Sequence, residues 1–369
     1  MRLLDFCKIT GASVNKYSGI KKYVATGDVD DNKIINSREY SYNDKPSRAN
    51  LIIQNGDVIF AKMKNTKKVL IADENNCNYI FSTGFCCLTP NKNLFDKYLF
   101  YYLDSEYFNN QKDKSCSGAT QKAINNESLK KINIKYVPSI SQQQLIVNKI
   151  DLINKLILIK NEEIEKLNKL IKSQFVEMFG TYIDNKNNFE INKLEDYTTM
   201  ITYGLTVRPE FISEGIDLIS ARELSNGVIN FSSSPKISED DYNKLSEKAK
   251  PHKNEILFSK TGTIGYCALV EEEKKFAVTQ NAARIVLKDV NPKWMLYYLR
   301  TDEIQTYCKR QAKGNAVKDF QIQDMKKIPI LSCDIELQNK FVKIAEQIDK
   351  QKFANYKIID IIEKICDLC

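Results

Sequence analysis

From Ser141 to Phe179 the apolar residues of this chain fall at heptad spacing. Ile150, Ile157, Ile164, Ile171 and Met178 recur every seven residues, with Ile146, Ile153 and Leu167 on the companion row and Lys160 and Gln174 interrupting it. Pro138 precedes the stretch, Gly180 ends it, and Ser141 with Gln144 has the spacing of a capping box. The pattern predicts one uninterrupted helix with a single sticky seam, roughly 58 Å long at 1.5 Å per residue. A second stretch, 335–369, behaves alike. Ile344, Ile348, Ile358, Ile362 and Ile365 form its stripe, with polar Gln351 and Asn355 in the middle. Each seam needs a partner, and the simplest partner is the other seam.

Ahead of each helix the period shortens. "LIIQNGDVIFAK" sets a Gly-Asp turn before a β-rich alternating run, and "KKFAVTQNAARIVLKD" reads as a strand pair. "FDKYLFYYLDSEYFNNQ" and "PKWMLYYLRTDEIQTYCKRQ" carry apolar residues at helical spacing, with Pro292 placed to start the second helix. These segments also answer one another in order. "GATQKAINNESLKKINI" from Gly118 resembles "GNAVKDFQIQDMKKIPI" from Gly314. "NGDVIFAK" resembles "KNEILFSK", "LFYYL" resembles "MLYYL", and "YVATGDV" resembles "LISAREL". One such match is chance; several in register are a duplication.

The expected fold class is therefore α+β. Two similar mixed α/β domains, 1–140 and 181–334, are separated and followed by long helices at 141–180 and 335–369. Packed as an antiparallel coiled coil, these helices relate the two copies by a pseudo-two-fold axis, so one chain imitates an isologous dimer. Dimeric DNA readers use such symmetry to reach two half-sites. A plain structural linker explains the helices equally well, and the pattern leaves both open. The repeated "LKKINI" and "MKKIPI" read as a strand feeding each long helix.

Composition narrows the function. With 369 residues, 43% hydrophobic and 28% charged, the chain is globular and has more than one domain. Its net charge of +8 suits a polyanion, although a general richness in Lys, Asn and Ile produces the same balance without one. No signal-like segment and no long apolar run is present, so a cytoplasmic protein without membrane contact is expected. The ten cysteines are scattered, and the C-x-x-C of Cys366 and Cys369 has no second ligand pair, so no metal site is expected. There is no Pro-Pro, no G-x-G, no phosphate-cradling G-x-x-x-x-G-K and no Pro-Asp. The one histidine, His252, stands in "KAKPHKNE", a solvated turn. The parts of a methyltransferase, a translocase or a nuclease are missing, and a non-catalytic chain without a cofactor of its own is expected.

"PSRANLIIQNGDVIFAK", "EILFSKTGTIG", "VTQNAARI", "SGATQKAINNESLKKINI" and "SQFVEMFG" resemble the specificity (S) subunit of type I restriction–modification systems over essentially the whole chain. The resemblance implies two target-recognition domains, each reading one half of a split double-stranded DNA target, and helices that set the unread gap. It implies assembly with two adenine-N6 methyltransferase subunits and with restriction/translocase subunits, where SAM and ATP/Mg act. The second helix departs from the pattern, since no "MFG"-like ending precedes Cys369.

Specific readout needs Arg, Lys, Asn, Gln, Ser or Thr at base edges and more of the same on phosphates. In the first domain the candidates are Ser47, Arg48, Lys62, Lys64, Asn65 and Lys67, with Thr120, Gln121 and Lys122 in the glycine segment. In the second they are Tyr203, Arg208, Arg222, Lys260, Thr261 and Thr263, with Lys313, Asn315 and Lys318. A bland reading stands beside this one: each glycine only ends a helix, and its polar neighbours face water. Two other functions fit the same chain. One is the recognition subunit of a fused methyltransferase–nuclease (type IIB/IIG-like) system; the other is a coiled-coil adaptor that binds no DNA. Leu145, Leu152 and Ile159 lie outside the seam and serve either a docked partner or packing against the domains.

Overall fold

The computed structural model describes residues 1–118, 121–205, 209–225, 227–314 and 317–368, the side chains of 225 and 365–368 excepted. The chain forms two compact units, Met1–Ile157 and Leu158–Cys369.

Unit 1 carries β1 (Cys7–Thr10), β2 (Lys21–Val24), β3 (Val29–Asp30), β4 (Lys33–Ile34), β5 (Arg38–Tyr40), β6 (Ala49–Leu51), β7 (Val58–Ala61), β8 (Val69–Ile71), β9 (Ile80–Ser82) and β10 (Phe85–Pro90). Helices α1 (Asp96–Asp104), α2 (Glu106–Lys114) and α3 (Asn126–Leu129) follow, and then the long α4 (Ile140–Phe179) begins. One antiparallel sheet runs β1-β10-β7-β8; a mixed sheet runs β5-β2-β9-β6, with β2 and β9 parallel. The run "VIFA" shows no polar alternation because both of its faces are covered. Val58 and Phe60 face the helices, where the Phe60 ring stands edge-on to Phe108 at 5.1 Å. Ile59 and Ala61 face the other sheet and pack with Leu70 and Phe81.

Unit 2 repeats this topology. It contains β11 (Glu190–Lys193), β12 (Thr198–Tyr203), β13 (Ile216–Ile219), β14 (Leu224–Ser225), β15 (Val228–Ile229) and β16 (Lys236–Ile237). After α5 (Glu239–Lys244) come β17 (Ile256–Ser259), β18 (Cys267–Leu269), β19 (Phe276–Val278) and β20 (Ala282–Leu287). Then follow α6 (Pro292–Leu299), α7 (Asp302–Gln311), α8 (Ile322–Met325), β21 (Pro329–Ser332) and α9 (Ile335–Leu368). The sheet β12-β20-β17-β18 matches β1-β10-β7-β8, and β16-β13-β19 again holds a parallel pair, β13 with β19. The duplication expected from sequence is a duplication of fold.

Three local expectations are corrected. Each helix predicted ahead of the glycine segments is two helices. One breaks at Ser105, whose hydroxyl accepts the Phe108 N–H at 3.3 Å; the other breaks between α6 and α7. The strand pair in "KKFAVTQNAARIVLKD" belongs to two different sheets, so its turn crosses between layers. Only the last two residues of "MKKIPI", Pro329 and Ile330, enter the strand β21 against β11, whereas "LKKINI" forms no strand and reaches the N-terminal segment through Leu3 N–H to Ile132 O and Ile134 N–H to Met1 O, each 3.0 Å.

Within unit 2 the two long helices run side by side and antiparallel. Phe175 and Phe179, near the end of α4, pack on Phe341 near the start of α9, with ring centroids 5.0 and 5.7 Å apart. Further back along α4, Glu163 takes Lys160 at 2.8 Å, and the Asn355 amide of α9 beside it helps to hold the Glu163 carboxyl below its usual range, after Lys160. One polar interruption of each seam, Lys160 and Asn355, thus meets at Glu163, a device that pins register in paired helices; Gln174 instead donates to Glu177 of its own helix at 3.0 Å. The helix begins at Ile140, and its cap precedes the expected one. Ser139 and Gln142 form the capping box, with Gln142 N–H to Ser139 Oγ at 3.4 Å and Ser139 N–H to Gln142 Oε1 at 3.3 Å; Ser141 and Gln144 do not.

Each long helix is fastened to its own domain in the same way. Gln143 is fully buried; its Oε1 accepts the Phe95 N–H at 2.7 Å and its Nε2 donates to Asn93 O and Pro138 O, both at 2.8 Å. Gln338 occupies the equivalent place in α9, accepting the Asn291 N–H and donating to Cys333 O, both at 2.9 Å. About two turns along, Asp151 takes Lys97 Nζ and the Tyr101 hydroxyl at 2.5 Å each. In unit 2, Lys293 pairs with Glu346 at 2.5 Å and the Tyr297 hydroxyl donates to Asp349.

The single tryptophan, Trp294, is buried between α6 and the end of α4, 5.6 Å from Phe179, and so reports on this junction. Gln338→Ala leaves a buried N–H without its acceptor and is expected to destabilise unit 2 by about 1–3 kcal/mol. Urea unfolding followed by Trp294 fluorescence measures it, and an unchanged midpoint would show that the amide is not holding the helix.

Candidate nucleic-acid interface

Two loops, one per unit, follow α2 and α7. In unit 1, Ser117 and Ala123 exchange both backbone hydrogen bonds at 3.0 Å; in unit 2, Lys313 and Asp319 do so at 2.8 and 2.9 Å. The chain turns back between them on Gly118 and Gly314, with φ of 131° and 112°. A Cβ on Gly118 would lie 2.6 Å from Gln121 O, and one on Gly314 2.3 Å from Val317 O. Only glycine fits. The glycines thus close a tight loop and are not mere helix stops.

A chain of backbone hydrogen bonds ties each loop to three other segments. In unit 1 the Thr83 N–H donates to Arg48 O, Lys62 N–H to Gly84 O, Ile124 N–H to Lys62 O and Lys64 N–H to Lys122 O, all at 2.9–3.0 Å. In unit 2 the same four links run from Gln280 to Leu205, Lys260 to Asn281, Phe320 to Lys260 and Gly262 to Lys318, at 2.7–3.0 Å. Candidates scattered along the sequence are thereby gathered. Ser47, Arg48, Lys62, Lys64, Gln121 and Lys122 share one edge of unit 1, and Gln121 Nε2 reaches Met63 Sδ at 2.8 Å. Asn65 joins them, its N–H held by Asp113 at 3.1 Å. Lys67 points to Asp104, 3.5 Å away, and lies toward α1. Tyr203, Lys260, Thr261, Thr263 and Lys318 share the matching edge of unit 2. Thr120, Arg208 and Asn315 lie outside the described residues.

The two edges differ in charge. In unit 2 the Lys260 ammonium sits 2.6 Å from Asp319 and 5.9 Å from the Tyr203 ring, and Thr261 Oγ1 donates to the same carboxylate at 2.6 Å. Burial alone would raise the Asp319 carboxyl, but the bonds from Lys260 and Thr261 outweigh it and hold it below the usual range. Lys313 is paired with Asp324 at 3.3 Å. These two lysines are thus engaged in fixing the loop. In unit 1, Ala123 stands where Asp319 does and Ser117 where Lys313 does, so the loop there has no such ion pairs.

Beside the unit 2 loop lies a cleft of about 830 Å³ whose lining includes Arg222, Thr261, Gly262, Thr263, Gln280 and Asn281. Sequence reasoning placed Arg222 and the Thr263 segment on this surface, but it missed Gln280, Asn281 and Asp319. "VTQNAARI" held the signal: two amide side chains at a turn between strands. His252 pairs with Glu273 at 3.0 Å on the surface, and among the described residues no His, Cys, Asp and Glu cluster could hold a metal ion.

The sequence profile of the type I restriction modification DNA specificity domain matches residues 1–169 and again 183–364. The specificity subunit of the type I restriction enzyme EcoBI from Escherichia coli is 22% identical over 291 residues, which take in 71% of this chain and 61% of that protein. The HindI specificity subunit from Haemophilus influenzae is 32% identical over 92 residues, 23% of this chain and 20% of that one. The matched segment is thus less than two thirds of either relative. A chain from the structural work on complex assembly and conformational transition of the type I R-M system superposes with a TM-score of 0.68 at 18% identity, covering 99% of this chain and 94% of that one. The S subunit of a type I system from M. genitalium gives 0.54 at 16% identity, covering 99% and 92%. At these identities the likeness is one of fold.

Asp319→Ala removes the counter-charge of a largely buried ammonium and is expected to destabilise unit 2 by about 2 kcal/mol. A carboxyl held low contributes stability that is complete above its unfolded value, about 3.9, and is lost as pH falls through the lower folded value. Asp319→Asn should flatten that acid-side fall in melting temperature. An acid-side profile identical to wild type would mean the pair adds nothing.

Proposed function

The chain belongs to the type I restriction modification DNA specificity family, and from that premise we propose that it is the subunit that chooses the DNA sequence in a type I restriction–modification complex. The observation that carries this reading is the repeated edge. Two units hold the same backbone links and present different side chains outward, which suits a split target whose halves differ in sequence. Ser47, Arg48, Lys62, Lys64, Asn65, Gln121 and Lys122 face one half-site. Tyr203, Arg222, Thr263 and Lys318 face the other.

The chain selects and the partners act. Two adenine-N6 methyltransferase subunits supply SAM chemistry, and restriction/translocase subunits use ATP and Mg; this chain needs no cofactor of its own. Leu145, Leu152 and Ile159 of α4 are 55%, 59% and 40% exposed, and such a row of large apolar side chains suits a docked methyltransferase. The long helices set the unread gap. The site of action is the cytoplasm, and among the described residues no helix is long and apolar enough to cross a membrane.

Two measurements on the chain purified with its methyltransferase partner test this. Retention of mixed duplex DNA should fall steeply with salt, because each neutralised phosphate releases counterions. Lys318→Ala should weaken binding to all sequences and lower the salt slope by about one. Sequencing of methylated adenines should show that Arg48→Ala relaxes one position of one half-site, at about 1–3 kcal/mol of discrimination, and leaves the other half intact. Binding without salt dependence would make the chain an adaptor.

A further inference from the structure

We propose that Gln280 and Asn281 are base-reading residues of unit 2, and that the base pair they read is A·T. The assignment rests on the DNA-reading function proposed above and adds to it a pair of residues and a target chemistry.

The turn that carries them is fixed by its backbone alone. Thr279 N–H donates to Ile219 O at 2.9 Å, Gln280 N–H to Leu205 O at 2.9 Å, and Asn281 O accepts Lys260 N–H at 3.0 Å. Three separate segments therefore hold the main chain without drawing on either side chain. Among the described residues neither side-chain amide makes a hydrogen bond. Glutamines built into the fold spend their amides. Gln143 and Gln338 spend their amides on buried backbone groups, and Gln305 Nε2 donates to Gly265 O and Leu299 O at 2.8 Å. Gln280 and Asn281 instead line the cleft next to Arg222 and Thr263. A rigid backbone with unspent amides is what preorganised recognition requires.

The amide chemistry selects the ligand. Each amide offers a donor and an acceptor side by side. Phosphate offers acceptors only, so it would use the N–H of each amide and leave the carbonyl oxygen unmatched. The adenine edge in the major groove offers the N7 acceptor beside the N6 donor, which the amide matches in both bonds. The corresponding residues of unit 1 are Thr83 and Gly84, placed by the same backbone links. Unit 1 thus has no amide here. Its Thr83 N–H is bonded to the carbonyl of Arg48, whose exposed guanidinium suits guanine O6 and N7. At this turn the frame therefore presents two amides in unit 2 and none in unit 1.

The test uses the chain assembled with its methyltransferase partner, SAM and a library of randomised duplexes, with methylated adenines read by sequencing. Gln280→Ala and Asn281→Ala are each expected to relax an A·T position, by about 5- to 150-fold in discrimination. That position should lie in the half-site that Arg222→Ala alters, with the half-site altered by Arg48→Ala unchanged. A motif unchanged in both variants, or relaxation at a G·C position or in the other half-site, overturns the assignment. So does loss of methylation at every site, which would make the turn a structural wall. A wild-type chain that confers no two-part motif sinks the DNA-reading function, and this assignment with it. A normal wild-type motif with unchanged variants sinks the assignment alone.

Discussion

The rest of the structure depends on how a compact domain is fastened to a long helix. A helix that touches its domain at one point can swivel about that point. Here there are two points, the buried Gln143 or Gln338 amide in the first turn and the carboxylate of Asp151 or Glu346 eight residues on, about 12 Å along the axis. Two separated attachments fix a direction. The amide is well suited to the first of them, since it is uncharged and can be buried without the desolvation penalty of an ion, yet it satisfies backbone donors and acceptors at once. Its partners are the loop entering α1 or α6 and the residues just before the long helix, Pro138 or Cys333, so three segments meet on one side chain.

The second principle is a division of labour between main chain and side chain. The candidate edge is framed in both units by the same four backbone hydrogen bonds, which do not depend on side-chain identity beyond the loop glycine. Side chains on that edge can change without moving the frame. The two copies show this directly: Asp319 against Ala123, Lys313 against Ser117, Gln280 and Asn281 against Thr83 and Gly84. Unit 2 ties its loop with ion pairs that unit 1 lacks. A fold built this way can diverge in the side chains it presents while keeping the same geometry.

Much of this was legible in the residues, and the failures are instructive. Heptad spacing located α4 and α9 because apolar residues seven apart line up along one face when the chain is helical. The repeats located the domains because texture survives duplication. What failed was local choice among equivalents. Ser139 and Ser141 both fit a capping box, and only the position of the first turn on Gln143 decides between them. Lys260 looks like any surface lysine in sequence; its neighbour Asp319 is distant along the chain, so their pairing is a fact of topology. Phe175 and Phe179 lie off the heptad rows, so the spacing does not mark them, yet they anchor α4 in the core of unit 2 beside Trp294 and Phe341. The free amides of Gln280 and Asn281 were invisible because being unpartnered is a property of surroundings, not of spacing.

The polar layer between the helices has the same logic as the candidate edge, with the roles reversed. Apolar seams alone would let α4 and α9 slide by a turn at little cost, since Ile against Ile is much the same in either register. Lys160, Glu163 and Asn355 remove that freedom. Asn355 is buried, and a slip would leave its amide facing aliphatic side chains without a partner, a loss of about 1–3 kcal/mol. Lys160 and Glu163 are more exposed, so their pairing adds less. The layer therefore acts less as glue than as a stop. At the candidate edge the backbone is fixed so that side chains may vary; in the helix pair a few side chains are fixed so that the backbones cannot.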